Sequence, residues 1–119
     1  MTVVQSVLDQ RFPVDPPKFM ERAPHGYHDV NAIRSAVADA GFTEVSVETI
    51  TETAQAGSAM DAATGYCQGN PLRAEIEARA PGELQAVTQL VASALIQSFG
   101  LGPIRGEVSA HVVTARCSV

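Results

Sequence analysis

Two segments with alternating, β-branched residues stand far apart in the chain, and they constrain its fold more than any other feature. Residues 43–50, TEVSVETI, place Val45, Val47 and Thr49 on one face of a strand. Residues 106–117, GEVSAHVVTARC, alternate in the same way, with apolar side chains on both faces. We predict an antiparallel strand pair over about 43–51 and 106–116, and we expect both faces of the second strand to be at least partly covered. Because an isolated pair of strands is marginal in water, further strands, helices or a partner chain have to pack on it.

Three helical segments separate the two strands. Ser58 is placed to cap the first helix, which runs toward Gly69. Asn70 followed by Pro71 begins the second, since proline is favoured at the first helical position. Residues 81–82, Pro-Gly, precede the third, whose apolar positions follow helical spacing up to Gly100: Leu84, Val87, Val91, Leu95 and Phe99. The sequence therefore predicts a helical cap, residues 58–99, inserted between the strands.

Two N-terminal helices complete the predicted fold. The first is short, because its apolar residues give way to a proline-rich segment at residues 13–17. Asp29 is placed to cap the second, and Gly41 lies where a left-handed residue ends such a helix. We predict a single α+β domain over residues 1–119.

Composition excludes some partners. Eight Lys and Arg residues in a chain of formal charge −5 do not form the basic surface that nucleic-acid binding requires. No apolar stretch is long enough to span a membrane, and the first residues lack a signal-peptide pattern, so we expect a cytoplasmic protein. Cys67 and Cys117 show no metal-binding or disulfide spacing and are expected to be reduced thiols.

Residues 24–29, PHGYHD, hold the densest group of candidate chemical residues. One interpretation is structural, with Gly26 giving a turn its backbone freedom and Asp29 capping the helix that follows. The other is catalytic, with His25 or His28 as a base and Tyr27 as a hydrogen-bonding or stacking wall. Both interpretations remain open from the sequence.

Several stretches in order resemble the C-terminal part of class I S-adenosylmethionine (SAM)-dependent methyltransferases of the bacterial ubiquinone/menaquinone-biosynthesis type. They are HGYHD, the AGF that ends a helix before a strand, CQGNPLRAEIEA and the closing AHVVTAR. The resemblance covers nearly the whole chain. It implies that residues 43–51 and 106–116 are the sixth and seventh strands of a partial Rossmann-like sheet, and that 58–99 cover the substrate side.

The same resemblance implies SAM as cofactor, but the family's SAM-binding elements lie in an N-terminal half that this chain lacks. Residues 100–106, GLGPIRG, follow a helix and lead into a strand, which is the reverse of the context that a nucleotide-binding glycine motif needs. They are typical of a helix end and a turn. We therefore expect no SAM-binding residues in this chain, and no metal site.

The resemblance also gives the candidate site residues their places. His25 and His28 would be conceivable bases beside a substrate pocket, and Tyr27, Tyr66 and Cys67 would border it. From the residues alone, Cys67 is an inert buried thiol, His111 a satisfied strand histidine, and Glu75 with Glu77 part of a solvated charged helix face.

Three hypotheses follow. The chain is the substrate-side part of a methyltransferase acting on a small molecule and is inactive alone. Alternatively, it is a non-catalytic module that binds an apolar small molecule. The third possibility is a dimerisation or regulatory module that forms a homodimer through the free edge of its last strand. The methyl acceptor, and whether Met1 is a true start, are left open by the sequence.

Overall fold

A computed structural model describes residues 2–22 and 29–117 of the chain. Over those residues it contains six helices and two strands, so the predicted α+β class is confirmed. In chain order they are α1 (Thr2–Arg11), α2 (Phe19–Arg22), α3 (Val30–Asp39), β1 (Phe42–Ala56), α4 (Ala59–Gln68), α5 (Leu72–Arg79), α6 (Leu84–Phe99) and β2 (Ile104–Cys117).

The two strands form one antiparallel ribbon, here called the ribbon, in which Phe42 faces Cys117 and Ala56 faces Ile104. Both strands are longer than predicted, chiefly at the end next to the helical cap. Residues 52–56, ETAQA, have low intrinsic strand preference, and they are held extended by pairing with residues 104–108 of β2. Pairing across the ribbon therefore overrides local preference at this end.

A bulge lies near the start of β1. The register shifts between Thr43 and Ser46, and Glu44 adopts a φ of 53°, in the left-handed region that non-glycine residues rarely occupy. Its carboxylate lies 3.0 Å from Nε of Arg116 on β2. After the bulge, β1 alternates as predicted, with Val45 and Val47 half-buried on one face and Ser46 exposed on the other.

The hydrophobic core lies among the helices. It is built mainly from α1, α4, α5 and α6, and Leu8, Leu72 and Val91 are among its fully buried side chains. Helix α6 packs against α1 and α4 and contributes the predicted stripe of Val87, Val91 and Leu95. Phe99, predicted on the same stripe, is exposed instead; it is the last residue of α6 and borders the cleft described below.

The predicted helix signals hold at most ends. The carboxylate of Asp29 accepts hydrogen bonds from the backbone N–H groups of Asn31 and Ala32 at 2.9 and 3.3 Å, which caps α3. Ser58 caps α4 in the same way through the N–H of Asp61. Gly41 follows the end of α3 with a φ of 99°, and Gly100 ends α6 with a φ of 86°, conformations that favour glycine.

Helix α5 begins one residue later than predicted. Pro71 precedes its first residue, while the Asn70 side chain still accepts from the N–H of Leu72 at 2.8 Å. A short helix, α2, follows the proline-rich segment and was not predicted.

The prediction of a solvated charged face on α5 is correct for one glutamate and wrong for the other. Glu77 is exposed and pairs with Arg73 at 3.7 Å. Glu75 is half-buried and accepts hydrogen bonds from the backbone N–H of Phe19 at 3.0 Å and from Arg22 at 3.1 Å. It therefore joins α5 to α2, a contact between segments distant in sequence.

The ribbon is covered unevenly. Helix α3 packs against β1, with Ile33 buried and Nη1 of Arg34 donating to the backbone oxygen of Val45 at 2.9 Å. The face that carries Val108 and Val112 is exposed, so the expected covering of both faces of β2 is wrong for this side. No helix within the described part of the chain is long and apolar enough to cross a lipid bilayer.

Candidate functional site

A cleft of about 720 Å³ lies between the ribbon and the helices α3, α4 and α6. Its size lies within the range of small-molecule sites in proteins. It opens to solvent on one side. We call this space the cleft.

One wall of the cleft is the ribbon. This wall includes β2 from Ile104 to His111 and residues 54–56 of β1, which pair with the start of β2. In the described residues β2 pairs with β1 alone, which leaves the outer edge of β2 without a neighbouring strand.

The opposite wall is apolar and comes from three helices. Ile33 of α3, Tyr66 of α4 and Phe99 of α6 border the cleft, together with Ala62 and Leu95. Phe99 is 54% exposed, whereas phenylalanine side chains in folded proteins are most often buried. An aromatic ring exposed in a concave apolar surface can contact a bound molecule.

Most of the polar side chains that border the cleft are exposed to solvent, namely Gln55, Arg105, Glu107 and Ser109. His111 is half-buried, and its Nδ1 lies 2.8 Å from Oγ1 of Thr49, directly opposite on β1. This hydrogen bond fixes the orientation of the imidazole ring.

Of the predicted binding residues, Tyr66 borders the cleft and Cys67 does not. Successive residues of a helix point about 100° apart, so the side chains of these two neighbours diverge. Cys67 is fully buried in the helical core, and burial raises the pKa of its thiol above the ordinary value of 9.0, partly offset by a hydrogen bond with Thr88. The thiol is therefore kept neutral and packs as a small apolar group, as the residue-level interpretation expected.

The remaining predicted site residues, His25, Tyr27 and His28, lie outside the described residues. Asp29, the neighbour of His28, is described and serves as the cap of α3. The structural role predicted for Asp29 is thus confirmed, while the catalytic hypothesis for the two histidines stays a prediction.

Sequence reasoning did not select His111 as a site residue. The alternation of residues 106–117 placed it correctly on a face with Val113, but nothing local indicated a polar partner. That partner, Thr49, is 62 positions away, and only the register of the ribbon brings the two together. A prediction of the register would have paired them.

The arrangement is suited to holding a largely apolar molecule against an oriented imidazole. Across residues 2–22 and 29–117, no three His, Cys, Asp or Glu side chains converge in a way that could hold a metal ion.

No protein-family model matches this chain, and no curated protein is similar to it.

Proposed function

We propose that this chain is the substrate-side part of a SAM-dependent methyltransferase that acts on an apolar small molecule, with the cleft as the site of the methyl acceptor. The observation that carries the proposal is the cleft itself, which lies between the ribbon and the helices α3, α4 and α6, while the outer edge of β2 stays unpaired in the described residues. The sequence resemblance implies the reaction, methyl transfer. The antiparallel ribbon with helices inserted between its strands supports the implied placement of β1 and β2 as the last two strands of a larger sheet.

The uncovered surfaces of the ribbon support a second structural unit. Ile50, Val108 and Val112 lie on one face and are each more than 40% exposed. An apolar face next to an unpaired strand edge is what a two-stranded ribbon presents when the rest of its sheet is elsewhere. We propose that a SAM-binding half covers this face and pairs with the edge of β2.

Methyl transfer from a sulfonium is an in-line displacement, so the protein mainly has to align the acceptor with the methyl group and exclude water. The apolar wall of Tyr66, Leu95 and Phe99 would exclude water from the acceptor. Where the acceptor is an alcohol or phenol, a base also has to take its proton. SAM supplies the methyl group when bound by the other half.

The first test is ligand binding by the chain alone, with 2-naphthol as a fluorescent apolar phenol. We expect 2-naphthol to bind at micromolar to millimolar concentration, and S-adenosylhomocysteine to give no heat in calorimetry. Ala62→Phe, which fills the cleft, should abolish binding of 2-naphthol. Ala78→Phe on the exposed side of α5 is the matched control and should leave it unchanged. Binding that survives Ala62→Phe in a folded protein would place the ligand elsewhere.

The second test is activity. The chain would be fused behind the SAM-binding half of a ubiquinone/menaquinone-type methyltransferase that ends at its fifth strand. We expect the fusion to bind SAM and to transfer the methyl group of labelled SAM to 2-naphthol, and the separate chain to do neither. A folded fusion without SAM binding, or SAM binding by the chain alone, would contradict the proposal.

The free edge of β2 also favours a second candidate, a non-catalytic module that forms a homodimer by strand pairing. Light scattering at micromolar concentration separates this candidate from the first. A dimer that Val108→Pro converts to a monomer would support it, since proline removes a backbone donor from the strand. A monomer at these concentrations would exclude it.

A further inference from the structure

We infer that His111, held by Thr49, is the group in the cleft that recognises a hydroxyl on the bound molecule, so that the preferred ligands are phenols or related hydroxyl-bearing apolar compounds. The inference rests on the proposed use of the cleft as a small-molecule site. It adds the chemical class of the ligand and the residue that selects it.

The hydrogen bond to Thr49 leaves one ring nitrogen for a ligand. His111 and Thr49 occupy directly opposite positions of the ribbon, and Nδ1 of the histidine lies 2.8 Å from Oγ1 of the threonine. Nε2 has no partner among the described residues. A pair of side chains fixed by strand register is a rigid support for a binding group, since neither depends on a loop.

Either direction of that hydrogen bond gives Nε2 a use. If the threonine hydroxyl donates to Nδ1, then Nε2 carries the proton and donates to the oxygen of a ligand hydroxyl. If Nδ1 carries the proton and donates to the threonine, then Nε2 accepts the ligand's proton. The second arrangement is the one that removal of a phenol proton before methyl transfer requires.

The other polar groups of the cleft are less able to select a ligand. Gln55, Arg105, Glu107 and Ser109 are exposed, so water competes for their hydrogen bonds. Tyr66 is half-buried and has a hydroxyl of its own, which makes it the rival candidate. In an apolar cleft a small number of placed polar groups sets specificity, because a ligand that lacks the matching group leaves them unpaired.

The test compares two probes of nearly the same shape, 2-naphthol and naphthalene, by fluorescence titration of the full chain. The wild-type chain should bind 2-naphthol about tenfold more tightly than naphthalene, a ratio equivalent to one good hydrogen bond. His111→Leu should remove this preference and leave naphthalene binding within about twofold of wild type. Thr49→Val should weaken the preference, and Thr49→Ser, which keeps the hydroxyl, should preserve it.

Tyr66→Phe is the matched control, since it removes only the competing hydroxyl from the cleft. Loss of the preference in Tyr66→Phe but not in His111→Leu would overturn the inference in favour of the tyrosine. Equal weakening of both probes by His111→Leu would show a packing role and overturn it as well. If His111→Leu does not fold, as judged by circular dichroism, the two Thr49 variants decide the question.

Failure of the inference and failure of the proposed function give different results. Equal wild-type affinity for the two probes, both lost in Ala62→Phe, would leave the cleft as a small-molecule site without hydroxyl recognition. Wild-type binding of neither probe would refute the proposed use of the cleft and with it the role of His111.

Discussion

The helical unit and the ribbon of this protein differ in how completely their apolar side chains are buried. Among the helices, Val4, Leu72 and Val91 are fully buried, and their contacts cross between α1, α5 and α6. On the ribbon, Val112 remains 44% exposed and Ile50 41% exposed although both lie in well-paired strands. The helices thus bury their apolar side chains within this chain, whereas the ribbon pairs its two strands with each other but leaves apolar side chains exposed.

This difference in burial indicates which region contributes most to the stability of the chain. A fully buried aliphatic side chain contributes about 1.5–3 kcal/mol to folding, and a half-exposed one much less. Two paired strands without a covered face are marginal in water, and α3 covers part of one face only. We therefore expect the helical core to determine the stability of the isolated chain, and the ribbon to gain stability when a partner covers it.

The largest effect should come from truncating the core. Leu72→Ala in α5 removes a fully buried side chain and should lower the free energy of unfolding by about 2–5 kcal/mol. Ile50→Ala is the matched truncation on the ribbon and should cost less than about 1 kcal/mol, because the side chain is already 41% exposed. Urea denaturation followed by circular dichroism measures both.

If Ile50→Ala lowered the free energy of unfolding by nearly as much as Leu72→Ala, the expected difference between the ribbon and the helical core would be wrong. It would mean that the outer face of the ribbon is covered in solution by another copy of the chain. Repeating the Ile50→Ala measurement at several protein concentrations would then show a concentration-dependent midpoint.

The next effect tests how α2 is attached to the helical unit. Glu75→Ala removes acceptors from the backbone N–H of Phe19 and from Arg22, and it should cost about 1.5 kcal/mol, at the low end for hydrogen bonds to a charged group. Glu77→Ala, two residues along, removes one exposed pair with Arg73 and should cost less than about 0.5 kcal/mol. Equal costs from thermal denaturation would remove the distinction between the two glutamates.

A smaller and more local effect is expected where α3 meets the ribbon. Asp29→Ala removes the cap of α3 and should destabilise that helix by about 1 kcal/mol, while Asp29→Asn should keep most of the stabilisation. Because α3 covers β1, amide hydrogen exchange should accelerate in α3 and at Val45 and Val47. Unchanged exchange in β1 would show that the ribbon does not depend on α3.

These contrasts also explain how much could be predicted from the sequence. Helix ends were predictable because their signals are local. Asp29 and Ser58 accept hydrogen bonds from backbone N–H groups two or three residues away, and Gly41 and Gly100 adopt the positive φ angles that end a helix. Strand ends were not, since residues 52–56 are extended only through pairing with a segment on the far side of the helical cap.

The cleft required the same long-range information. Helix signals placed Tyr66 on the first cap helix and alternation placed His111 on the last strand, but the cleft that both border is formed by the packing of five separate elements. The prediction for Glu75 was wrong for the same reason. Its sequence neighbours indicated a solvated helix face, but its hydrogen-bond partners are more than fifty positions away. Interactions close in sequence could thus be predicted, and those made by tertiary packing could not.

The last prediction uses Cys67 to probe the helical core by pH. Burial raises the pKa of this thiol in the folded chain, so the unfolded chain ionises first as pH rises. The free energy of unfolding should therefore be unaffected by this group below about pH 9.0 and should fall as pH rises from there toward the folded pKa. Cys67→Ala in a Cys117→Ser background should lose this part of the alkaline decline, measured by urea denaturation between pH 8 and pH 10.5.

The two cysteines should differ in reactivity for the same reason, and they report on the two regions separately. Cys117 is exposed at the end of the ribbon and should react with a disulfide reagent at pH 8 in the folded chain, whereas Cys67 should react only after unfolding. Equal rates would mean that the helical core opens as readily as the ribbon end. Protection of Cys117 alone would instead indicate a covered ribbon, because its thiol has no shelter within the described part of this chain.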